Sequence, residues 1–342
     1  MPKTPSVLTE KPEASFDPLS DLLASMRLTG TVMFRAEFCE PWSVTTPEGH
    51  QLSKVLAVRA DRVIPFHVVS RGSCALTVPQ REPVWLREGD AVLLPYGDGH
   101  LLSGRAPAEP VPVGQLLPPP PWQDFLVVKH GGQGETTSII CGFVQCDELL
   151  FHPILRHLPL LLHVSPDASP ADRWLATTIR HTAQEATEPS PGSRNMLPRL
   201  TELLFVEILR KHMRGLTDDE VGWFAAFNDE IAGAALQCLH TAPFDAWSIE
   251  KLASRVGVSR TVLADRFKHF LDQPPMQYLT HWRLQFAAKE LKAGQRPLKA
   301  IAEEAGYESE AAFSRAFKRY FGLPPGEWRA RQRRSLPHSA HS

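Results

Sequence analysis

Two stretches near the end of this 342-residue chain carry one pattern twice: SIEKLASRVGVSRTVLADRFKHFLDQPP at 248–275 and PLKAIAEEAGYESEAAFSRAFKRYFGLPP at 297–325. Ala253 aligns with Ala302, Gly257 with Gly306, Ser259 with Ser309, Phe267 with Phe317 and Pro274 with Pro324, given one added residue between the glycine and the serine of the second copy. Each shared position has a task in a helix, a tight turn and a second helix. The small alanine lets the two helices approach, the glycine supplies the positive φ of the turn, and the serine side chain can accept a backbone N–H where the next helix starts. Leu263 with Phe267, and Phe313 with Phe317, are i and i+4 pairs that turn one face of that second helix inward. A chain that meets these demands twice is predicted to hold two helix-turn-helix motifs.

The outer faces of the two second helices are largely polar. The first offers Ser259, Arg260, Thr261, Ala264, Asp265 and Lys268, and the second offers Glu310, Ala311, Ser314, Arg315, Lys318 and Arg319. The first turns of such a helix meet base edges in a major groove, while cations further along reach phosphates. Arg260 and Arg315 are the natural partners for a guanine edge. Between the copies, QYLTHWRLQFAAKELKAG has the apolar spacing of one long helix. Some 18 residues at about 1.5 Å each extend about 27 Å, so with side-chain offsets the two recognition helices are expected roughly 34 Å apart, one turn of double-stranded DNA.

Charge agrees with a polyanion at this end. The formal net charge is −1, yet residues 240–342 hold 17 Lys and Arg against 10 Asp and Glu, a balance of +7, which leaves 20 against 28, or −8, upstream. The five cysteines are odd in number and lack CxxC spacing, and no basic, apolar leader precedes them, so free thiols in a reducing cytoplasm are expected. No apolar run approaches the roughly 18 residues needed to span a bilayer, and no membrane contact is expected.

Upstream the rhythm changes. Residues 1–16 are polar and expected to form a disordered leader, while DPLSDLLASMRL suits a short helix capped by Asp17. From Gly30 to Val144, short apolar or alternating runs (TVMFRAEF, KVLAVRA, IPFHVVS, CALTV, VWL, AVLLP, FLVVKHG, TTSIICGFV) are broken by Gly and Pro, the pattern of an all-β sandwich or barrel. RAPAEPVPVGQLLPPPPWQD, with seven prolines, has too few backbone donors for anything but a surface loop or an edge. GGQGE at 131–135 lacks the Gly-Lys-Ser/Thr ending of a phosphate-binding loop and reads as a hairpin turn.

Between 153 and 240 the period becomes helical, in ADRWLATTIRHTAQEA, LPRLTELLFVEILRKHM and WFAAFNDEIAGAALQCLHT. Leu197, Leu200, Leu204 and Ile208 form one stripe, which either packs on the β region or pairs subunits. The chain therefore reads as an α+β multidomain protein. Its expected parts are a leader (1–16), a β region (17–152), a helical linker or dimerisation segment (153–225), an all-α domain with two helix-turn-helix motifs (226–333) and a disordered tail (334–342).

Residues from about 226 to 332 resemble the DNA-binding domain of the AraC/XylS family of bacterial transcription regulators, and GYESEAAFSRAFKRYFGLPPGEWR is similar to that family's C-terminal signature. The resemblance covers about a third of the chain and implies sequence-specific binding to promoter DNA. Carried over by position, the base-reading face falls on Thr261, Ala264 and Asp265 in the first motif, and on Glu310, Ala311, Ala312, Ser314 and Arg315 in the second. Ala264 and Asp265 stand where the family often has amide or Arg side chains. A homodimer is also implied and, for an activator, a contact with RNA polymerase.

GDAVLLPYGDGH, Gly89 to His100, has the spacing G-x5-P-x-G-x2-H and resembles the second motif of the cupin barrel, with Gly104 in place of the usual Asn. Of the two His and one Glu of the first cupin motif, only His67 in IPFHVVSRGS has a counterpart. His67 and His100 read either as structural histidines or as ligands that could hold a zinc or copper ion with help from water or a thiol. A cupin-like barrel joined to this DNA-binding domain resembles the cupin-containing subgroup of the family, some of whose members sense oxidants. Cys39 in FCEPW and Cys141 in IICGF fall where such cysteines are expected, though small buried hydrophobes fit the same positions. Cys141 and Cys146 have opposite parity on a strand.

The expected function is that of a DNA-binding transcriptional regulator rather than an enzyme, with a cupin-like domain that senses a small molecule or oxidant. The alternative is a cupin metalloenzyme, a dioxygenase or isomerase, with a helical appendage; the missing ligands of the first motif argue against it.

Overall fold

The structure, a computed structural model, describes residue 19 and residues 29–58, 62–119, 122, 125–146, 158–166, 170–217, 220–294 and 296–335. The expected leader lies outside these residues, as does the helix DPLSDLLASMRL apart from Leu19, which is helical and buried.

The β region is two facing sheets. One has the order β11 (Leu162–Val164), β6 (Ala91–Leu93), β3 (Arg62–Arg71), β10 (Thr136–Cys146), β1 (Thr29–Cys39), β9 (Leu126–Gly131). The other runs β5 (Val84–Arg87), β4 (Ser73–Thr77), β7 (His100–Ser103), β2 (Ser43–Thr46), β8 (Val111–Pro112). Neighbours are antiparallel except β1 with β9 and β2 with β8.

Successive side chains on a strand point to opposite faces, and β10 uses both. Ile139 and Cys141 join Phe38, Trp42, Leu76 and Leu102 in the core between the sheets. Ile140 and Val144 join Phe66 and Val68 on the outer face. That outer face is covered by helices α3 (Arg173–Thr187) and α4 (Ser193–Arg214), the second of which packs along β1 and buries Leu197, Leu204 and Ile208. The leucine stripe read from the sequence thus packs on the β region.

Three local readings change. KVLAVRA is not a strand: helix α1 (Gly49–Val55) ends within it, and Leu52 and Leu56, four residues apart, are both buried, which is helical rather than alternating spacing. GGQGE is not a hairpin, because β9 and β10 both pair with β1 and never with each other. The loop instead wraps the end of β1, with Gly132 N–H on the Cys39 carbonyl and Gly134 N–H on that of Glu40. A Cβ at Gly131 would overlap the Cys39 carbonyl oxygen, so the close approach demands glycine. The proline-rich segment does supply an edge, the two-residue β8, followed by the short helix α2 (Val113–Leu116).

WFAAFNDEIAGAALQCLHT divides into α5 (Trp223–Asn228) and α6 (Glu230–Thr241), broken at Asp229, whose side chain caps the second helix by accepting from Ile231 N–H and Ala232 N–H. Then come α7 (Ile249–Arg255), α8 (Arg260–Leu271), the long α9 (Pro275–Ala293), α10 (Leu298–Glu304), α11 (Glu310–Phe321) and α12 (Pro325–Ser335). The last helix runs two residues into the segment expected as a tail. Helix α9 serves both motifs: Tyr278 and Leu279 belong to the core that holds Leu252, Leu263 and Phe267, whereas Leu284, Ala288 and Leu291 belong to the core that holds Ile301, Phe313 and Phe317. Phe321 stacks on Trp328, while Tyr320 turns to α9 and lies against His281.

Candidate functional site

The two helix-turn-helix motifs close in the same way. Gly257 and Gly306 have φ of +73° and +83°, the left-handed turn that glycine makes without strain. Ser259 Oγ accepts from Val262 N–H and Ser309 Oγ accepts from Ala312 N–H, each at 3.2 Å. The inward residues predicted from i, i+4 spacing, Leu263, Phe267, Phe313 and Phe317, are fully buried. Each recognition helix is therefore anchored along one face and capped at the end that leads.

On α8, Thr261, Asp265 and Lys268 are exposed and Ala264 is half-buried; on α11, Glu310, Ala311, Arg315, Lys318 and Arg319 are exposed, with Ala312 and Ser314 half-buried. Arg260 reaches back to α7, where its guanidinium meets Glu250 Oε1 at 2.9 Å in an exposed ion pair. One residue of this face escaped the sequence reading. Val262 is 42% exposed beside Thr261, and its only sequence signal is an apolar side chain one step off the buried Leu263–Phe267 stripe.

A second cluster lies between the sheets. Cys141 on β10 pairs with His67 on β3, and His100 opens β7 of the facing sheet. His67 Nδ1 is 3.2 Å from Cys141 Sγ, His67 Nε2 is 2.8 Å from His100 Nε2, and His100 Nδ1 is 3.1 Å from the Asp98 carbonyl. A carbonyl only accepts, so His100 must carry its proton on Nδ1. With neutral rings, His67 then donates from Nε2, and the Cys141 thiol donates to His67 Nδ1. Burial favours this neutral state: it lowers His67 well below its ordinary range, lowers His100 to about 4 and pushes the Cys141 thiol up.

A tetrahedral zinc bound by two imidazoles would hold their nitrogens about 3.3 Å apart, with further ligands on the same side. Here the third donor sits on the opposite nitrogen of His67, so the three do not converge and, as arranged, do not fit a zinc or copper ion. Among the described residues no group of three His, Cys, Asp or Glu side chains could hold a metal ion. Cys39 is half-buried, with Sγ 3.2 Å from Thr136 Oγ1. Cys141 lies opposite Phe34, five residues along β1 from Cys39, or about 17 Å.

Comparison with known proteins agrees with both halves. A family profile described as Cupin matches residues 17–214, and one described as Helix-turn-helix domain matches residues 252–331. A Streptomyces lividans protein described as an AraC-like transcription regulator is 36% identical over 278 residues, 80% of this chain and 89% of its own length. The chain belongs to the AraC family of transcription regulators. Within that family it is also similar to the HTH-type transcriptional regulator AlkR of Acinetobacter baylyi, at 30% identity over 77% of this chain and 86% of AlkR. The RCS-specific HTH-type transcriptional activator RclR of Escherichia coli is 29% identical over 80% of this chain and 87% of RclR. This AraC-family regulator thus joins a cupin-like N-terminal region to a DNA-binding domain with two helix-turn-helix motifs, and these relatives are named as regulators, not as metalloenzymes. Among its described residues no helix is long and apolar enough to cross a membrane.

Proposed function

We propose that the regulator reads a two-part operator in double-stranded promoter DNA, α8 entering one major groove and α11 the next. The observation that carries this is the repeated capped helix at the two ends of α9, each presenting polar side chains that pair with no opposite charge among the described residues: Asp265 and Lys268, beside Thr261, on one, Arg315 and Lys318 on the other. Arg315 suits the O6 and N7 edge of guanine, Asp265 the amino group of cytosine, and Val262 the methyl of thymine. Lys268, Lys318 and Arg319 suit phosphates. Ser259 and Arg260 are assigned to supporting the helix start rather than to base reading. Sites selected from random duplexes by the full chain, then footprinted, should show two protected major-groove faces about one turn apart; a single protected groove would refute the two-part reading.

The regulator is further proposed to act as a homodimer and as an activator beside RNA polymerase, under control of a small molecule or oxidant at the cupin-like region. Dimerisation is supported by apolar side chains left outside on the sheet-covering helices: Trp174 is 68% exposed, Met196 50% and Leu203 39%, the last two seven residues apart on one stripe of α4. For oxidant control, Cys39 is the better first site, since Cys141 is buried as the neutral donor to His67. His67 and His100 are assigned a structural role, as a hydrogen-bonded link between the sheets, in preference to a zinc or copper site.

A further inference from the structure

One side chain near the middle of α9 lies between the loop that leads into the first motif and the turn of the second. Arg283 Nε donates to the Pro243 carbonyl at 2.6 Å, and one terminal nitrogen donates to the Asp245 carbonyl at 2.7 Å, both in the loop between α6 and α7 that leads into the first motif. The other terminal nitrogen faces the second motif. A Cβ placed on Gly306, in the turn between α10 and α11, would stand 2.8 Å from it. A guanidinium is a rigid planar fork, so binding two carbonyls fixes the plane against which the Gly306 turn rests. The hydrophobic cores change hands at the same place, with Leu279 in the first and Leu284 in the second. Burial lowers the Arg283 pKa, as suits a cation held between two packed units.

We propose that Arg283 is a positioning residue that fixes the distance and rotation between α8 and α11, and thereby the spacing at which the two halves of an operator are accepted. This rests on the reading that both helices enter grooves. Inserting or deleting one base pair turns one groove by about 34° relative to the other. Two helices locked together meet that change badly, and two helices free to swivel meet it well.

The test uses the full chain and a selected operator, with the gap between its halves lengthened or shortened by one or two base pairs. Wild type should bind with a sharp optimum. Arg283→Met, which keeps the stem and removes the donors, should lose about tenfold at the optimum and little elsewhere, giving a broad profile; Arg283→Lys should fall between. A Met variant as sharply peaked as wild type, or one weakened equally at every gap, would overturn the proposal, since uniform loss is what mere destabilisation produces. Should Arg283→Met fail to give a folded circular dichroism spectrum, Arg283→Lys decides, because it keeps the charge and the stem but loses the planar fork: a broadened profile supports the assignment and an unchanged one overturns it. A flat wild-type profile would instead refute the two-groove reading and the positioning role with it.

Discussion

His67 Nε2 lies 2.8 Å from His100 Nε2, joining strands of opposite sheets through a chain of donors that starts at the Cys141 thiol and ends on the Asp98 carbonyl. That chain runs only when both rings are neutral. Folding holds His100 near 4, whereas in the unfolded chain it titrates near 6.5. As pH falls below about 6.5 the unfolded state takes up the proton first, so stability should decline down to about pH 4 and then level off for this group. His67 and His240, also lowered by burial, act in the same direction. Denaturant melts between pH 7.5 and 4.5 should show this slope, and His100→Gln should make it shallower by about one proton, or about 1.4 kcal/mol per pH unit. A slope unchanged by the substitution would mean that the pair is already charged in the folded protein.

The thiols should differ in reactivity. Cys141 is buried and Cys39 is half-buried, so under native conditions a maleimide followed by mass spectrometry should label Cys39 more than about tenfold faster. Equal rates would show that the β region opens as easily as its surface reacts. Because the two lie about 17 Å apart along the sheet, mild oxidation should leave no Cys39–Cys141 disulfide in the folded chain.

The two arginines that the sequence offers as guanine partners, Arg260 at the start of α8 and Arg315 midway along α11, should not be equivalent. Arg315→Ala should weaken binding to a selected operator by about 1 to 3 kcal/mol and random duplex far less, as expected for a base contact. Arg260→Ala should cost less on the operator, since Glu250 already holds that guanidinium. Fluorescence anisotropy on both duplexes distinguishes them, and an equal loss on random DNA would reassign Arg315 to phosphate.

Removing the Ser309 hydroxyl should expose the orphaned Ala312 N–H. Ser309→Ala is expected to lower stability by about 1 kcal/mol, read by thermal melting, with Ser309→Asp restoring most of it. Melts identical to wild type would show that the second recognition helix starts without its cap.

Subunit pairing through α4 makes a separate prediction. Leu203→Glu or Met196→Glu should shift the sedimenting species from dimer toward monomer while leaving the circular dichroism spectrum intact, because both side chains are already outside the core. A dimer that survives both changes would place the contact on another face.

The helix-turn-helix pair was legible in the sequence because everything that makes it is local. The turn glycines, the serine caps and the i, i+4 aromatic pairs act within one or two helical turns, and their repetition marked Leu263, Phe267, Phe313 and Phe317 as core. KVLAVRA and GGQGE were misread for the opposite reason: a helix that buries Leu52 and Leu56, and a strand that pairs in parallel with β1, depend on partners far along the chain. The contact between Arg260 and Glu250, ten residues back on another helix, is likewise invisible to a pattern read within one helix.

By itself, then, the sequence determined where the two recognition helices start and which of their faces is buried and which is left outside. Only the tertiary structure decided that Arg283 on α9 reaches the carbonyls of Pro243 and Asp245, and how His67 and His100, 33 residues apart, meet as a neutral pair. Caps and turns are encoded by neighbours, whereas the partner of a buried polar group is chosen by packing, which joins residues that no local pattern relates.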